Sequence, residues 1–181
     1  MPEFSNSPLV SFTQLSPNCN KKRTHAIDTV TIHCTAGQRT VERLGKTFAP
    51  ASRKASCNYA IGSDGRVALI VPEESRSWCS SDASNDHRAV TIEVSSDDKT
   101  PYAVNDAAYA SIIYLVADIC RRNGIAKLLW RHDKSLVGKT DKDGKLVQNL
   151  TLHKWFANKA CPGPFLEDRM FDIAAKVNAL L

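Results

Sequence analysis

The stretch His153-Lys-Trp-Phe-Ala-Asn-Lys159-Ala-Cys161-Pro-Gly163 brings an imidazole, an ammonium and a thiol close together in the chain. The Pro-Gly pair forces this segment into a loop. Far upstream, a second imidazole, His33, ends an alternating apolar run. Two histidines and one cysteine suit zinc, because catalytic zinc sites keep three protein ligands and leave the fourth position to water. The alternative is a structural cysteine beside a surface histidine, but Lys159 is an unusual neighbour for an inert core thiol.

The pattern around these residues predicts an α/β domain. Alternation and turn residues predict strands at 27–34, 57–61, 66–71 and 90–94, with a short further strand at 127–130. Helical spacing and capping residues predict helices at 41–48, 106–123 and 165–181. Strands that alternate with helices favour a central sheet with helices packed on its faces.

Length and composition favour one globular domain. The chain has 181 residues, which suits a single core. Residues 1–24 are polar and interrupted by prolines, so we expect an irregular N-terminal arm followed by one catalytic domain over residues 25–181. No apolar run is long enough to span a bilayer, and the first residues show no secretory signal, so we expect no membrane insertion and leave export open.

Charge and cysteine content narrow the function classes. The net charge of +5 is compatible with weak attraction to an acidic polymer or with a solvated surface, and no basic cluster predicts nucleic-acid binding. The six cysteines lack the short paired spacings of a disulfide framework. If Cys161 binds zinc, five cysteines remain, an odd number, so we expect at least one free thiol and a reducing origin. Cys34, Cys57 and Cys120 lie in apolar segments and are predicted to be small core residues.

The pattern H-x5-K-x-C-P-G, together with strands reading Thr-Ile-His33 and Thr-Ile-Glu93, resembles the zinc-dependent N-acetylmuramoyl-L-alanine amidases of type 2. This group shares its fold with peptidoglycan recognition proteins and several phage endolysins. The resemblance runs from about residue 27 to the C-terminus. It implies a mixed central β-sheet flanked by helices, and one Zn2+ bound by His33, His153 and Cys161.

The resemblance also implies roles for two further residues. Glu93 would be the general base that takes a proton from the attacking water and passes it to the leaving amine. Without that role it would be a solvent-facing or salt-bridged glutamate. Lys159 would stabilise the oxyanion that forms when water attacks an amide, and otherwise it would be a solvated surface lysine.

Two positions depart from the family pattern or compete with it. Some phage members carry a catalytic tyrosine in the hairpin strand. Alignment on Asn58 and Ile61 places Cys57 at that position and makes Tyr59 a packing residue. Proton transfer is therefore expected to depend on Glu93. His132 ends an apolar segment and is a minor alternative to His153 as a metal ligand. Its distance from Cys161 in the sequence does not fit the family pattern.

The implied activity is hydrolysis of the amide between N-acetylmuramic acid and the first L-alanine of the peptidoglycan stem peptide. We expect peptidoglycan as the partner, a monomer, and action on the cell wall, reached as a released endolysin if the chain is made without a signal peptide. A non-catalytic peptidoglycan-binding module of the same fold is the main alternative. A structural zinc or redox protein is disfavoured because no C-x-x-C motif occurs.

Overall fold

The computed structural model describes residues 4–181, and this part of the chain contains eight β-strands and five α-helices. The strands are β1 (Val10–Thr13), β2 (Cys19–Asn20), β3 (Thr29–Cys34), β4 (Tyr59–Ile61), β5 (Val67–Leu69), β6 (Arg76–Ser77), β7 (Ala89–Val94) and β8 (Leu150–Thr151). The helices are α1 (Val41–Phe48), α2 (Ala83–Arg88), α3 (Asp106–Arg122), α4 (Pro164–Glu167) and α5 (Met170–Leu180). None of the helices within residues 4–181 is both long enough and apolar enough to cross a membrane.

Six strands form one mixed sheet in the order β1-β5-β4-β7-β3-β8. Every neighbouring pair is parallel except the β4–β5 hairpin. β3 and β7 are the central pair and run in register over six residues each, from Thr29 opposite Ala89 to Cys34 opposite Val94. β2 and β6 form a separate antiparallel ribbon.

Helices cover both faces of this sheet, as predicted. α3 and α5 pack together on one face, against apolar residues such as Ile32, Ile61 and Ile92. α1 packs on the other face against Ala60 and Ile70. α1 has the predicted bounds, and the Thr40 side chain caps it by accepting a hydrogen bond from the Arg43 amide. The predicted α/β class with a helix-flanked mixed sheet is confirmed.

The prediction of an irregular N-terminal arm is wrong for residues 10–13 and 19–20. Val10–Thr13 form β1, which pairs in parallel with β5, and Cys19–Asn20 form β2. The segment before β1 is also tied down, since the Ser7 amide donates to the Tyr59 hydroxyl at 2.8 Å. A four-residue strand buries only alternate side chains, which is too short a pattern to recognise in the sequence. Residues 1–3 of the predicted arm lie outside the described residues.

Two further predictions need correction. Residues 127–130 do not form a strand, because their backbone groups bond partly to side chains: the Leu128 and Leu129 amides donate to the Asn178 and Asn149 side chains. The helix predicted over residues 165–181 is divided into α4 and α5 at Asp168 and Arg169. The apolar spacing continues across this break and hides it.

Candidate metal centre

Strand order places three predicted functional residues side by side. His33 of β3 is the register partner of Glu93 of β7, so their side chains leave the same face of the sheet. β8 pairs with the other side of β3 and leads directly into a 3-10 turn at His153–Trp155. Because parallel strands end at the same edge of a sheet, His153 follows β8 into the neighbourhood of His33.

The loop before α4 completes the cluster. The ligand atoms of His33, His153 and Cys161 all lie within 4.8 Å of one another. The His33 Nδ1 atom is 3.5 Å from the Cys161 Sγ atom, and the two imidazole centroids are 4.9 Å apart. Two backbone amides donate hydrogen bonds that fix the loop. The Cys34 amide donates to the Cys161 sulfur at 3.4 Å, and the Lys154 amide donates to the Cys161 carbonyl at 3.0 Å. The structure therefore brings the three predicted ligands together.

The electrostatics of the cluster suit a bound cation. Burial, and then the charge of His153, lowers the pKa of the fully buried His33 well below its ordinary value. Burial, and then the Lys159 ammonium, lowers the pKa of His153. Both imidazoles are therefore held neutral, which is the form that binds metal. A hydrogen bond with the Cys34 thiol, and then burial, raises the pKa of Cys161, so a metal ion would be needed to ionise it. Two neutral imidazoles and one thiol are a donor set that fits zinc.

Glu93 lies beside this cluster, opposite His33 in the register of β3 and β7. Burial, and then the neighbouring Cys34 thiol, raise the pKa of its carboxyl to about 8 against the opposing effects of Arg53, Cys79 and Arg39. Its Oε1 atom is 3.9 Å from the Cys79 sulfur. A carboxyl group with a pKa near neutrality can both accept and return a proton, which is what a general base requires.

Lys159 lies on the exposed side of the cluster. The loop between His153 and Cys161 carries it, and its side chain is exposed to solvent. Its positive charge acts on His153, as the lowered pKa of that imidazole indicates. The ammonium is thus available to a group that approaches the cluster from solvent.

His132 lies apart from the cluster. Its side chain is 51% exposed, its Nε2 atom is 2.9 Å from a Glu167 carboxylate oxygen, and its ring stacks on Trp130. Within residues 4–181, His132 is not among the residues whose ligand atoms converge with those of His33. Tyr59 packs in the core, as predicted, and its hydroxyl donates to the buried Glu73 carboxylate at 2.6 Å.

Sequence reasoning missed two cysteines of this region. Cys34 is not a simple core residue, because it is partly exposed and its backbone amide donates to the Cys161 sulfur at 3.4 Å. Its position immediately after His33 was the available signal. Cys79 follows β6, and its ligand atom lies within 4.8 Å of those of His33 and Glu93. Nothing in the spacing of Cys79 indicates this approach, which depends on how the loop between β6 and α2 folds back.

Fold and cluster together define a class of protein: an α/β domain with a His/His/Cys cluster that could hold a metal ion, at the ends of parallel strands. The chain belongs to the N-acetylmuramoyl-L-alanine amidase family, whose sequence model matches residues 23–164. This match confirms the family that the sequence motifs predicted. Comparison with curated protein sequences gives no significant match.

Solved structures show the same fold at low sequence identity. A selenomethionine derivative of AmpD is 16% identical with a TM-score of 0.67, and the match covers 100% of this chain and 99% of that one. PlyL is 16% identical with a TM-score of 0.64, covering 92% and 95% of the two chains. The Drosophila peptidoglycan recognition protein SA is 16% identical with a TM-score of 0.62, covering 88% and 90%.

Proposed function

We propose that this protein is a zinc-dependent amidase of bacterial peptidoglycan, which hydrolyses the amide between N-acetylmuramic acid and the first L-alanine of the stem peptide. The observation that carries the proposal is the convergence of the His33, His153 and Cys161 ligand atoms within 4.8 Å, next to Glu93. Membership of the amidase family supports the substrate class.

The chain supplies three kinds of group to this reaction. His33, His153 and Cys161 would hold the zinc ion, which when bound polarises a carbonyl and lowers the pKa of water toward neutrality. Glu93 takes a proton from the attacking water and returns it to the leaving amine, so that the amide C–N bond breaks with a neutral amine as product. Lys159 donates to the oxygen that gains negative charge when water adds to the carbonyl.

The retained ligand set favours hydrolysis over binding alone. A module that only binds peptidoglycan needs neither a three-residue set of metal ligands nor a carboxyl group whose pKa lies near neutral pH. Here the three-residue set and Glu93 are neighbours that share contact with His33, and the pKa of Glu93 is raised to about 8. We further propose that the protein acts as a monomer on cell-wall material.

Metal content and product release test the proposal on the same protein samples. We expect about one zinc per chain in the purified protein. His153→Ala and Cys161→Ala should lose it, whereas His132→Ala is the matched control and should keep it. Incubation with purified peptidoglycan should release free stem peptide, and a chelator should stop the release. Undiminished zinc in both ligand variants, or release of peptide that chelator leaves unchanged, would refute the zinc amidase assignment. Tight binding of peptidoglycan without product would identify a binding module instead.

A further inference from the structure

A second set of ligand atoms lies beside the first. The ligand atoms of His33, Cys79 and Glu93 also lie within 4.8 Å of one another. His33 is common to both sets, while Cys79 and Glu93 belong only to the second. Imidazole nitrogen, thiolate sulfur and carboxylate oxygen are the three donor types that zinc binds in proteins.

The two nitrogens of His33 are differently engaged. Its Nδ1 atom lies 3.5 Å from the sulfur of Cys161, a residue of the first set only. Its Nε2 atom is buried and has no hydrogen-bond partner among residues 4–181, and the same holds for the Oε2 atom of Glu93. Buried polar atoms are nearly always paired. Two such atoms on side chains of one ligand set point to a bound species between them.

The loop that carries Cys79 is fixed in place. The Cys79 amide donates to a carboxylate oxygen of Asp86 at 3.0 Å, and the Ser80 amide donates to the same carboxylate at 3.2 Å. Asp86 is 1% exposed, so these bonds are shielded from water. The Cys79 sulfur is thereby held at 3.9 Å from the Glu93 carboxylate. A fixed donor loses little entropy when it binds a cation.

We propose that His33 Nε2, Cys79 and Glu93 form a second cation site, specific for zinc and similar thiophilic divalent ions, whose occupation inhibits the enzyme. The site itself is independent of the proposed amidase function. Inhibition rests on that function, because a cation bound to Glu93 prevents the carboxylate from taking a proton. Binding releases two protons to solvent. One comes from the Cys79 thiol, and the other is the ring proton that His33 carries on Nε2 when its Nδ1 atom binds the first ion.

Cadmium binding to the metal-free protein tests the site directly. Cd2+ replaces Zn2+ at such sites, and each cadmium–thiolate bond adds an ultraviolet charge-transfer absorption. We expect equilibrium dialysis to give about two cadmium ions per chain, with two thiolate bonds. Cys79→Ser and Cys79→Ala should each bind about one ion with one thiolate bond. Cys19→Ser is the matched control, since Cys19 lies in the β2–β6 ribbon and contacts the Ser16 carbonyl, and it should bind as the wild type does. Saturation of the wild type at one ion, or an unchanged second thiolate bond in both Cys79 variants, overturns the proposal.

A variant without the first site separates this proposal from the proposed function. His153→Ala/Cys161→Ser should still bind about one cadmium ion through a thiolate, and adding Cys79→Ser should abolish that binding. Loss of all binding in the double variant, with its circular dichroism spectrum unchanged, overturns the second site. If the wild type has no zinc-dependent amidase activity but the double variant binds cadmium, the proposed function fails while the second site stands.

Excess zinc tests the inhibitory consequence. Amidase activity should fall when zinc is added beyond the first equivalent. Because the second ion occupies Glu93 rather than the substrate, the turnover rate should fall while substrate affinity stays the same. Any activity that remains in Cys79→Ser should need a zinc concentration at least about tenfold higher for half-inhibition, because one ligand of the second site is lost. An unchanged inhibitory concentration would contradict the assigned ligand set.

Discussion

Replacing Glu93 by glutamine should change how the stability of the metal-free protein depends on pH. Burial raises the pKa of the Glu93 carboxyl from an ordinary value of 4.5 to about 8. Between these two pH values the folded protein keeps a proton that the unfolded chain has released. The free energy of unfolding therefore falls as pH rises through this window, because the unfolded state binds fewer protons. Glutamine does not titrate, so the variant should lack this loss.

The size of the effect follows from the size of the shift. Each pKa unit corresponds to about 1.4 kcal/mol, so an interval of roughly 2.5 units between the ordinary pKa and neutral pH gives about 3 kcal/mol. Glu93 keeps some contact with solvent, which screens the charged form. We therefore expect the free energy of unfolding of Glu93→Gln, relative to wild type, to increase by about 2 kcal/mol across this window.

Urea unfolding in the presence of a chelator measures this difference. Wild type, Glu93→Gln and the exposed-site control Glu74→Gln should be compared at about pH 5 and about pH 7.5. Titration of His33 and His153 contributes equally to the stability of all three proteins, so it largely cancels when the wild-type free energy of unfolding is subtracted from that of each variant. The Glu93→Gln curve should diverge from wild type, while the Glu74→Gln curve should stay parallel to it. Parallel curves for Glu93→Gln would show that the carboxyl ionises in its ordinary range and that the burial argument is wrong.

Three other substitutions test the site and its scaffold. Lys159→Met should keep zinc and substrate affinity while turnover falls on the order of a hundredfold, as for the loss of one oxyanion donor, and loss of zinc in step with activity would contradict this role. Glu73→Gln should lower the free energy of unfolding in urea by about 2 kcal/mol, because Arg122 loses its fully buried carboxylate partner and keeps only Asp118, and a change below about 1 kcal/mol would refute the ion-pair argument. Gly65→Ala should destabilise by about 2 kcal/mol, since φ is +81° and the new Cβ would lie 2.9 Å from a backbone oxygen of α3. Gly144→Ala is its control, because φ is +75° but no atom lies within 4 Å of its Cβ, so an equal cost in both would assign the whole effect to φ.

Local patterns predicted the parts of the fold that local energetics determine. α1 begins and ends at the predicted residues because a threonine cap and an apolar stripe define it. α3 also matches closely, since its long apolar stripe and the Asn123-Gly124 stop leave few alternatives. The ligand set came from the resemblance, and parallel strand order then explains why residues far apart in sequence meet.

Tertiary contacts determine what the sequence did not reveal. Cys79 reaches Glu93 only because two amides of its loop bind the buried Asp86 carboxylate. Strand alternation assigns Cys34 to the apolar face, but at the end of β3 its backbone amide donates to the Cys161 sulfur. The apolar spacing after Pro164 predicts one continuous helix and gives no sign of the break. For Cys34 the deciding neighbour, Cys161, is distant in the sequence.

The pairing of β1 with β5 bears on any fragment of this protein. The family match begins at residue 23, whereas the main sheet begins at Val10. A fragment cut at the family boundary would leave β5 as an edge strand with unsatisfied amides and carbonyls along one side. It would also remove the amide that donates to the Tyr59 hydroxyl. Exposed edge strands recruit strands from other molecules. In the intact sheet β1 is itself the edge strand, with only partly buried side chains, whereas Val67–Leu69 of β5 are buried. A cut at residue 23 would therefore move the sheet edge from β1 to this buried apolar strand and expose it to solvent.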